Sequence, residues 1–279
     1  MKNALTVDVE DWHHCMVDDY RTWSSYEDRI VHSTTKVLRL LRETGARATF
    51  FVLGYVAARH PELVAQIRDA GHEVASHGYH HQFVYHLTRD EFRADVERSI
   101  QVLQEVTGER PLGYRAPFFS ITKRSWWAFD VLAEVGFRYD SSIYPVFNHR
   151  YGIPDAPRFA HRIEFDGKGG LLELPISTVR IGFNLPVGGG VYFRFLPYRL
   201  MRMFVKQINR EEKPALLYFH PWEMDPDQPV LEGLPVLFKA RRYLNLDRAE
   251  NKWRSLLSDL EFAPVSEVFQ REIWGKSMT

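Results

Sequence analysis

Hydrophobic positions along this chain fall into two alternating patterns. Short continuous apolar runs, Ala4-Leu5-Thr6-Val7, Ala48-Thr49-Phe50-Phe51-Val52-Leu53 and Ala215-Leu216-Leu217-Tyr218-Phe219, read as buried strands. Gly71-His72-Glu73-Val74-Ala75-Ser76 and Phe137-Arg138-Tyr139-Asp140 read as shorter strands. Between them apolar residues recur at helical spacing. One helix is predicted over residues 33–44, with Val37, Leu38, Leu40 and Leu41 on or near one face. A second covers 61–70, opened by Pro61 and closed by Gly71. A third runs from the N-cap Thr88 to about 106, with Asp90 and Glu91 in its first turn. Others end at Glu134, ahead of Gly136, and cover 197–209 and 248–260. Residues 141–194, rich in Pro and Gly and including Gly188-Gly189-Gly190, predict long loops and a hairpin. This alternation, without internal repeats, predicts a parallel α/β fold, as an open sheet or a barrel.

Length and charge narrow the picture. The 279 residues, 45% hydrophobic, suffice for one large core, so a single domain over 1–279 is expected, with a helical C-terminal extension from about residue 224. The 36 basic and 36 acidic residues give no electrostatic case for a nucleic-acid partner. Cys15 is the single cysteine, which rules out an intrachain disulfide. The first apolar run is interrupted at Asp8, too early for a signal-peptide core or a membrane span, and a cytoplasmic protein is expected.

The candidate chemistry sits where strands end. His77 and His81, in Ser76-His77-Gly78-Tyr79-His80-His81, are four residues apart, a spacing that on a helical turn puts both imidazoles on one face. The carboxylates of Asp8-Val9-Glu10-Asp11 follow the first strand. Two strands therefore end in potential ligands, and the pattern points to metal-assisted chemistry.

Five segments taken in order carry a resemblance: Thr6 to Asp11, Ala48-Thr49-Phe50-Phe51, His77 to His81, Arg115-Ala116-Pro117-Phe118 and Leu217-Tyr218-Phe219-His220. Over about residues 3–223 the chain resembles the polysaccharide deacetylase family, the NodB-homology domain of carbohydrate esterase family 4. Glu10-Asp11-Trp12 and His220-Pro221-Trp222-Glu223 resemble the branch found beside bacterial exopolysaccharide and exosortase loci. The resemblance implies a distorted (β/α) barrel with fewer than eight strands. It also implies a divalent metal, usually zinc, held by one Asp and two His. The implied activity is removal of N-acetyl groups from amino sugars of a bacterial polysaccharide, oligosaccharide or precursor.

On this resemblance His77 and His81 are metal ligands, Asp8 the catalytic base and His220 the acid that protonates the departing amine. Arg115 orients the base, with Asp140 as its own partner, and the backbone N–H of Phe118 supports the oxyanion. Trp222 and Trp12 form walls of the acetyl pocket or are core aromatics. One departure stands out, because the family places a ligand aspartate directly after the base and this chain has Val9 there. Strand periodicity favours Glu10 as the replacement, and a turn after Val9 would favour Asp11.

Other residues have plainer expectations. His72 reads as structural, His80 as off the ligand spacing, His13 and His14 as a solvated loop, and Cys15 as an apolar filler. Glu173 and Glu223 are candidates to touch substrate, with a salt bridge as the alternative for Glu173. Two further functional readings stand beside the deacetylase. One is a related barrel amidohydrolase acting on a small cyclic amide or ureide. The other is an inactive carbohydrate-binding domain, which would lack an essential group, whereas Asp8, His77, His81, Arg115 and His220 are all present.

Overall fold

The structure, a computed structural model, describes residues 1–148, 150–165 and 169–275. Strand β1 (Asn3–Val9) is buried throughout, and its side chains separate by parity. Leu5, Val7 and Val9 pack outward with Val37, Leu40 and Leu41 of helix α1 (Ile30–Thr44). Ala4 packs inward with Phe51, Ala75, Tyr139 and Leu172. Thr6 and Asp8 share that inward side, where both meet Arg115.

From β1 the chain steps through β2 (Thr49–Val52), β3 (Glu73–Ser76), β4 (Gly113–Tyr114) and β5 (Tyr139–Asp140), each parallel to the one before. The crossovers are α1, then α2 (Gly54–Arg59) with α3 (Pro61–Asp69), then α4 (Arg89–Thr107) and α5 (Ala128–Glu134). Helix α4 starts as predicted, with Thr88 and Glu91 exchanging hydrogen bonds in a capping box. Two hairpins follow where one was expected: β6 (His161–Phe165) with β7 (Gly169–Glu173), and β8 (Thr178–Arg180) with β9 (Asn184–Pro186). Helices α6 (Gly190–Phe195) and α7 (Tyr198–Arg210) then lead to β10 (Leu216–Phe219), which pairs with the free side of β1.

Seven parallel strands thus run in the order β10-β1-β2-β3-β4-β5-β7. Antiparallel β6 and a short late strand, β11 (Phe262–Ala263), bring the sheet to nine strands. Backbone from the loop region bridges its two ends. Ile176 N–H donates to Ile143 O (3.1 Å) near β5, and Tyr218 N–H in β10 donates to Gly188 O (2.7 Å). The approach is so close that a Cβ on Gly189, at φ 153°, would lie 1.7 Å from Tyr218 O. This bridging curves the parallel sheet into the distorted barrel that the resemblance implies.

After β10 come α8 (Val236–Tyr243), α9 (Leu246–Asp259), β11, α10 (Val265–Val268) and α11 (Gln270–Trp274). The C-terminal extension is therefore not only helical, because β11 returns to pair with β1. No helix among the described residues is long and apolar enough to cross a membrane.

Candidate metal and acid–base site

Pairing levels the strand ends: Val9 lies opposite Val52, and Val52 opposite Ser76. Glu10 and His77 are each one residue beyond that line. His81 joins them by a route different from the predicted one, since residues 77–83 form no helix. Gly78 (φ 74°) and His81 (φ 53°) turn the chain through left-handed conformations. The N–H groups of Tyr79 and His80 donate to the carboxylate of Asp95 on α4, at 2.8 and 3.1 Å. Asp95 thus takes the donors a helical turn would have used, and a Cβ on Gly78 would crowd its Oδ2 at 3.0 Å.

Ligand-type atoms of Glu10, His77 and His81 all lie within 4.8 Å of one another, and all three residues are buried. His77 Nδ1 is hydrogen-bonded to Arg115 O (2.8 Å), which leaves Nε2 as the lone-pair atom. His81 Nε2 stands 3.1 Å from Glu10 Oε2, yet neither atom makes a well-aligned hydrogen bond. Buried polar atoms left this way cost about 1–3 kcal/mol each, which a bound cation would offset. Tetrahedral ligands about 2 Å from a zinc ion stand about 3.3 Å apart, so the trio fits a divalent metal. Burial pushes His77 down to about 4, which keeps it neutral and ready to ligate. Against burial, His81 and His220 hold Glu10 well below the usual carboxylate range. Asp11, the alternative ligand, is turned away: its carboxylate accepts from the N–H groups of Trp12 (2.7 Å) and Arg29 (2.8 Å). Burial lifts Asp11 to about 6.

Beside the trio Asp8 accepts from Arg115 Nη1 at 2.6 Å. Arg115 is fully buried, its guanidinium 4.2 Å from the centre of the Phe51 ring. Its remaining partners are Thr6 Oγ1 (2.8 Å), Ser141 O (3.2 Å) and Ser141 Oγ (3.0 Å). The expected pairing with Asp140 is not made. Asp140 accepts instead from Ser142 N and Ser142 Oγ, both at 2.8 Å, and lies opposite Glu173 of β7. Burial raises both carboxyls, Glu173 the more. Glu173 therefore forms no salt bridge among the described residues, but lies buried beside Asp140, its Oε1 accepting from Ile143 N at 3.0 Å.

His220 ends β10 between two carboxylates. Nε2 lies 3.1 Å from Glu10 Oε1, and Nδ1 lies 2.9 Å from Glu223 Oε1. Burial opposes its charge, but Glu10 and Glu223 outweigh burial and raise it to about 10. Glu223, expected as a substrate contact, is fully buried and also accepts from Arg194 Nε at 2.9 Å. Trp222 stacks on the His220 ring at 5.0 Å and packs in an apolar cluster with Trp12 and Leu246, which makes both tryptophans core aromatics.

Phe118 adopts φ 57°, strained for a residue with a side chain, and its ring lies 4.4 Å from that of His81. His13 and His14 are not solvated as expected but buried, stacked on Tyr26 and Trp23 respectively. His72 accepts from Ala48 N, as a structural residue does, and His80 stacks on Tyr20. Cys15 is a free, half-buried thiol.

Known proteins share this arrangement of strands. Residues 17–139 match the polysaccharide deacetylase family, and 141–270 match a domain of unknown function (DUF3473). A peptidoglycan deacetylase of Helicobacter pylori is 32% identical over 113 residues, 39% of this chain and 36% of that protein. The chain spans about a third of the length of the curated relatives it matches. Among solved structures, a putative polysaccharide deacetylase from Mycobacterium smegmatis superposes with TM-score 0.64 at 24% identity, covering 99% of this chain and 92% of that one. A probable polysaccharide deacetylase from Pseudomonas aeruginosa gives 0.65 at 14% identity, covering 99% and 91%. These likenesses establish the fold. Asp8 and Glu10 precede the matched deacetylase stretch, and His220 lies in the stretch of unknown function.

Proposed function

We propose that this chain is a metal-dependent N-deacetylase acting on amino sugars of a bacterial polysaccharide or its precursor. The observation that carries the reading is the convergence of one carboxylate and two imidazoles between a buried Asp–Arg pair and a histidine held between two carboxylates. Glu10, His77 and His81 would hold the ion, zinc being the best match to this donor set. When bound, such an ion polarises an amide carbonyl and supplies a water acidic enough to attack near neutral pH.

The protein's own groups move the protons. Asp8, oriented by the hydrogen bond from Arg115, accepts the proton of the attacking water. His220 protonates the amine from Nε2, since Glu223 engages Nδ1. An amine leaves poorly unless protonated, so an acid that stays charged at neutral pH suits an amide substrate. Phe118, turned by its left-handed backbone toward His81, is the proposed oxyanion donor through its N–H.

The test is product analysis with N-acetylglucosamine oligosaccharides. The reading expects equal amounts of acetate and free amine from the wild type and neither from Asp8→Asn or His220→Ala. Acetate release that survives both substitutions would overturn it.

A further inference from the structure

The stretch that matches a domain of unknown function supplies His220 and the groups behind its Nδ1. Arg194, at the end region of α6, is buried and donates to four acceptors. Nε bonds Glu223 Oε2 (2.9 Å); Nη1 bonds the carbonyls of Arg242 (3.0 Å) and Leu244 (2.9 Å); Nη2 bonds that of Arg241 (3.1 Å). Those three carbonyls form the C-terminal end of α8, the end whose unpaired acceptors and partial negative charge favour a cation. Glu223 passes the link to His220 Nδ1 at 2.9 Å. A second tie converges on the same place. The guanidinium of Arg242, on α8, lies 3.1 Å from the centre of the Trp222 ring, which also stacks on the His220 ring. It also donates to Trp12 O at 2.7 Å.

We infer that Arg194 is a positioning residue for the acid, clamping Glu223 to the C-terminal end of α8 so that His220 presents Nε2 to the site. The proposal rests on the deacetylase reading for its chemistry, but the geometry it describes can be tested apart from activity. A planar fork with donors on both edges suits the task, because one edge takes the carboxylate while the other gathers carbonyls. Removing it would leave Glu223 buried beside His220 with no cation behind it. Glu223 would then keep only the contacts of Oε1 with the backbone N–H and Nδ1 of His220, and its Oε2 would lose its partner, loosening the imidazole with it. The unknown-function stretch therefore has a definite task, which is to hold the proton donor opposite ligands supplied by the deacetylase stretch and β1.

The experiment compares Arg194→Ala and Arg194→Lys with the wild type, all loaded with zinc, on two substrates. Chitin oligosaccharides need a protonated leaving group, whereas 4-nitrophenyl acetate, with its phenolate, does not. For Arg194→Ala, kcat on the amide should fall by about 30-fold or more, with KM within about twofold and ester hydrolysis within about threefold. Arg194→Lys keeps the charge without the fork and should fall between. Equal losses on both substrates, or an unchanged amide rate, would overturn the proposal.

The activity-independent measurement is the side-chain spectrum of the histidines in uniformly 15N-labelled protein, with the His220 signal assigned by its loss in His220→Gln. The protected Nδ1–H signal of His220 should be present in the wild type and lost or strongly shifted in Arg194→Ala. An unchanged signal would overturn the positioning role. Should the wild type release no acetate, the deacetylase reading fails, and this spectrum still decides the role of Arg194.

Discussion

Arg115 Nη1 stands 2.6 Å from Asp8 Oδ1, and both side chains are sealed inside the sheet. A charge pair at that depth is held by geometry, with Thr6 and Ser141 satisfying the rest of the guanidinium. Asp8→Asn should lower turnover by about a thousandfold while leaving bound metal near the wild-type level. Arg115→Ala strands a buried carboxylate and should also destabilise the fold by about 3–5 kcal/mol. Denaturant unfolding and metal analysis of the two variants test the contrast.

Glu10 and Asp11 are adjacent in sequence but point to different tasks. Glu10→Ala should abolish stoichiometric metal binding, because it removes the carboxylate of the trio. Asp11→Ala should bind metal normally and lose about 1–3 kcal/mol of stability, since the N–H groups of Trp12 and Arg29 lose their acceptor. Metal content after gel filtration separates them, and equal retention would contradict the assignment.

His220 is raised to about 10 against the opposition of burial by the carboxylates of Glu10 and Glu223. An acid with a raised pKa works below that pKa and fails above it, so the basic limb of kcat belongs to it. Glu223→Gln removes one of the two carboxylate charges. The basic limb should move to lower pH, with the acidic limb unchanged; a limb that stays in place would contradict the pairing.

Glu173 is raised well above its ordinary 4.5 by burial and by Asp140 beside it. The folded state therefore binds a proton that the unfolded chain gives up near pH 4.5. Stability from this group is present at low pH and declines as pH rises toward the folded-state pKa, by about 1.4 kcal/mol per unit. Glu173→Gln, a neutral mimic, should unfold like the wild type near pH 4 and be the more stable of the two at pH 8. Thermal melts across that range check the sign.

Much of this site was legible in the sequence because each feature has a local cause. The apolar runs fix the strands, and period-two alternation puts Asp8 on the inner face. Acidic and imidazole residues at the strand ends then mark the site. The helical reason for the His77–His81 spacing failed because Gly78 and Asp95 together favour a left-handed turn, and Asp95 lies in a different element. The partners of Arg115 could not be read either, since the choice of Ser141 over Asp140 depends on a carboxyl pair completed by Glu173, more than thirty residues away. Arg194 left no signal at all. Three of its four acceptors are backbone carbonyls at the end of a helix that begins some forty residues later, and no residue pattern records them.

The central claim is that Glu10, His77 and His81 hold the ion on which amide hydrolysis depends. The direct measurement is acetate release from chitin oligosaccharides by the purified protein, before chelation, after chelation and after zinc is added back, with metal content followed in parallel. The account predicts that activity and one equivalent of metal disappear together and return together. Undiminished release from protein shown to be metal-free would contradict it.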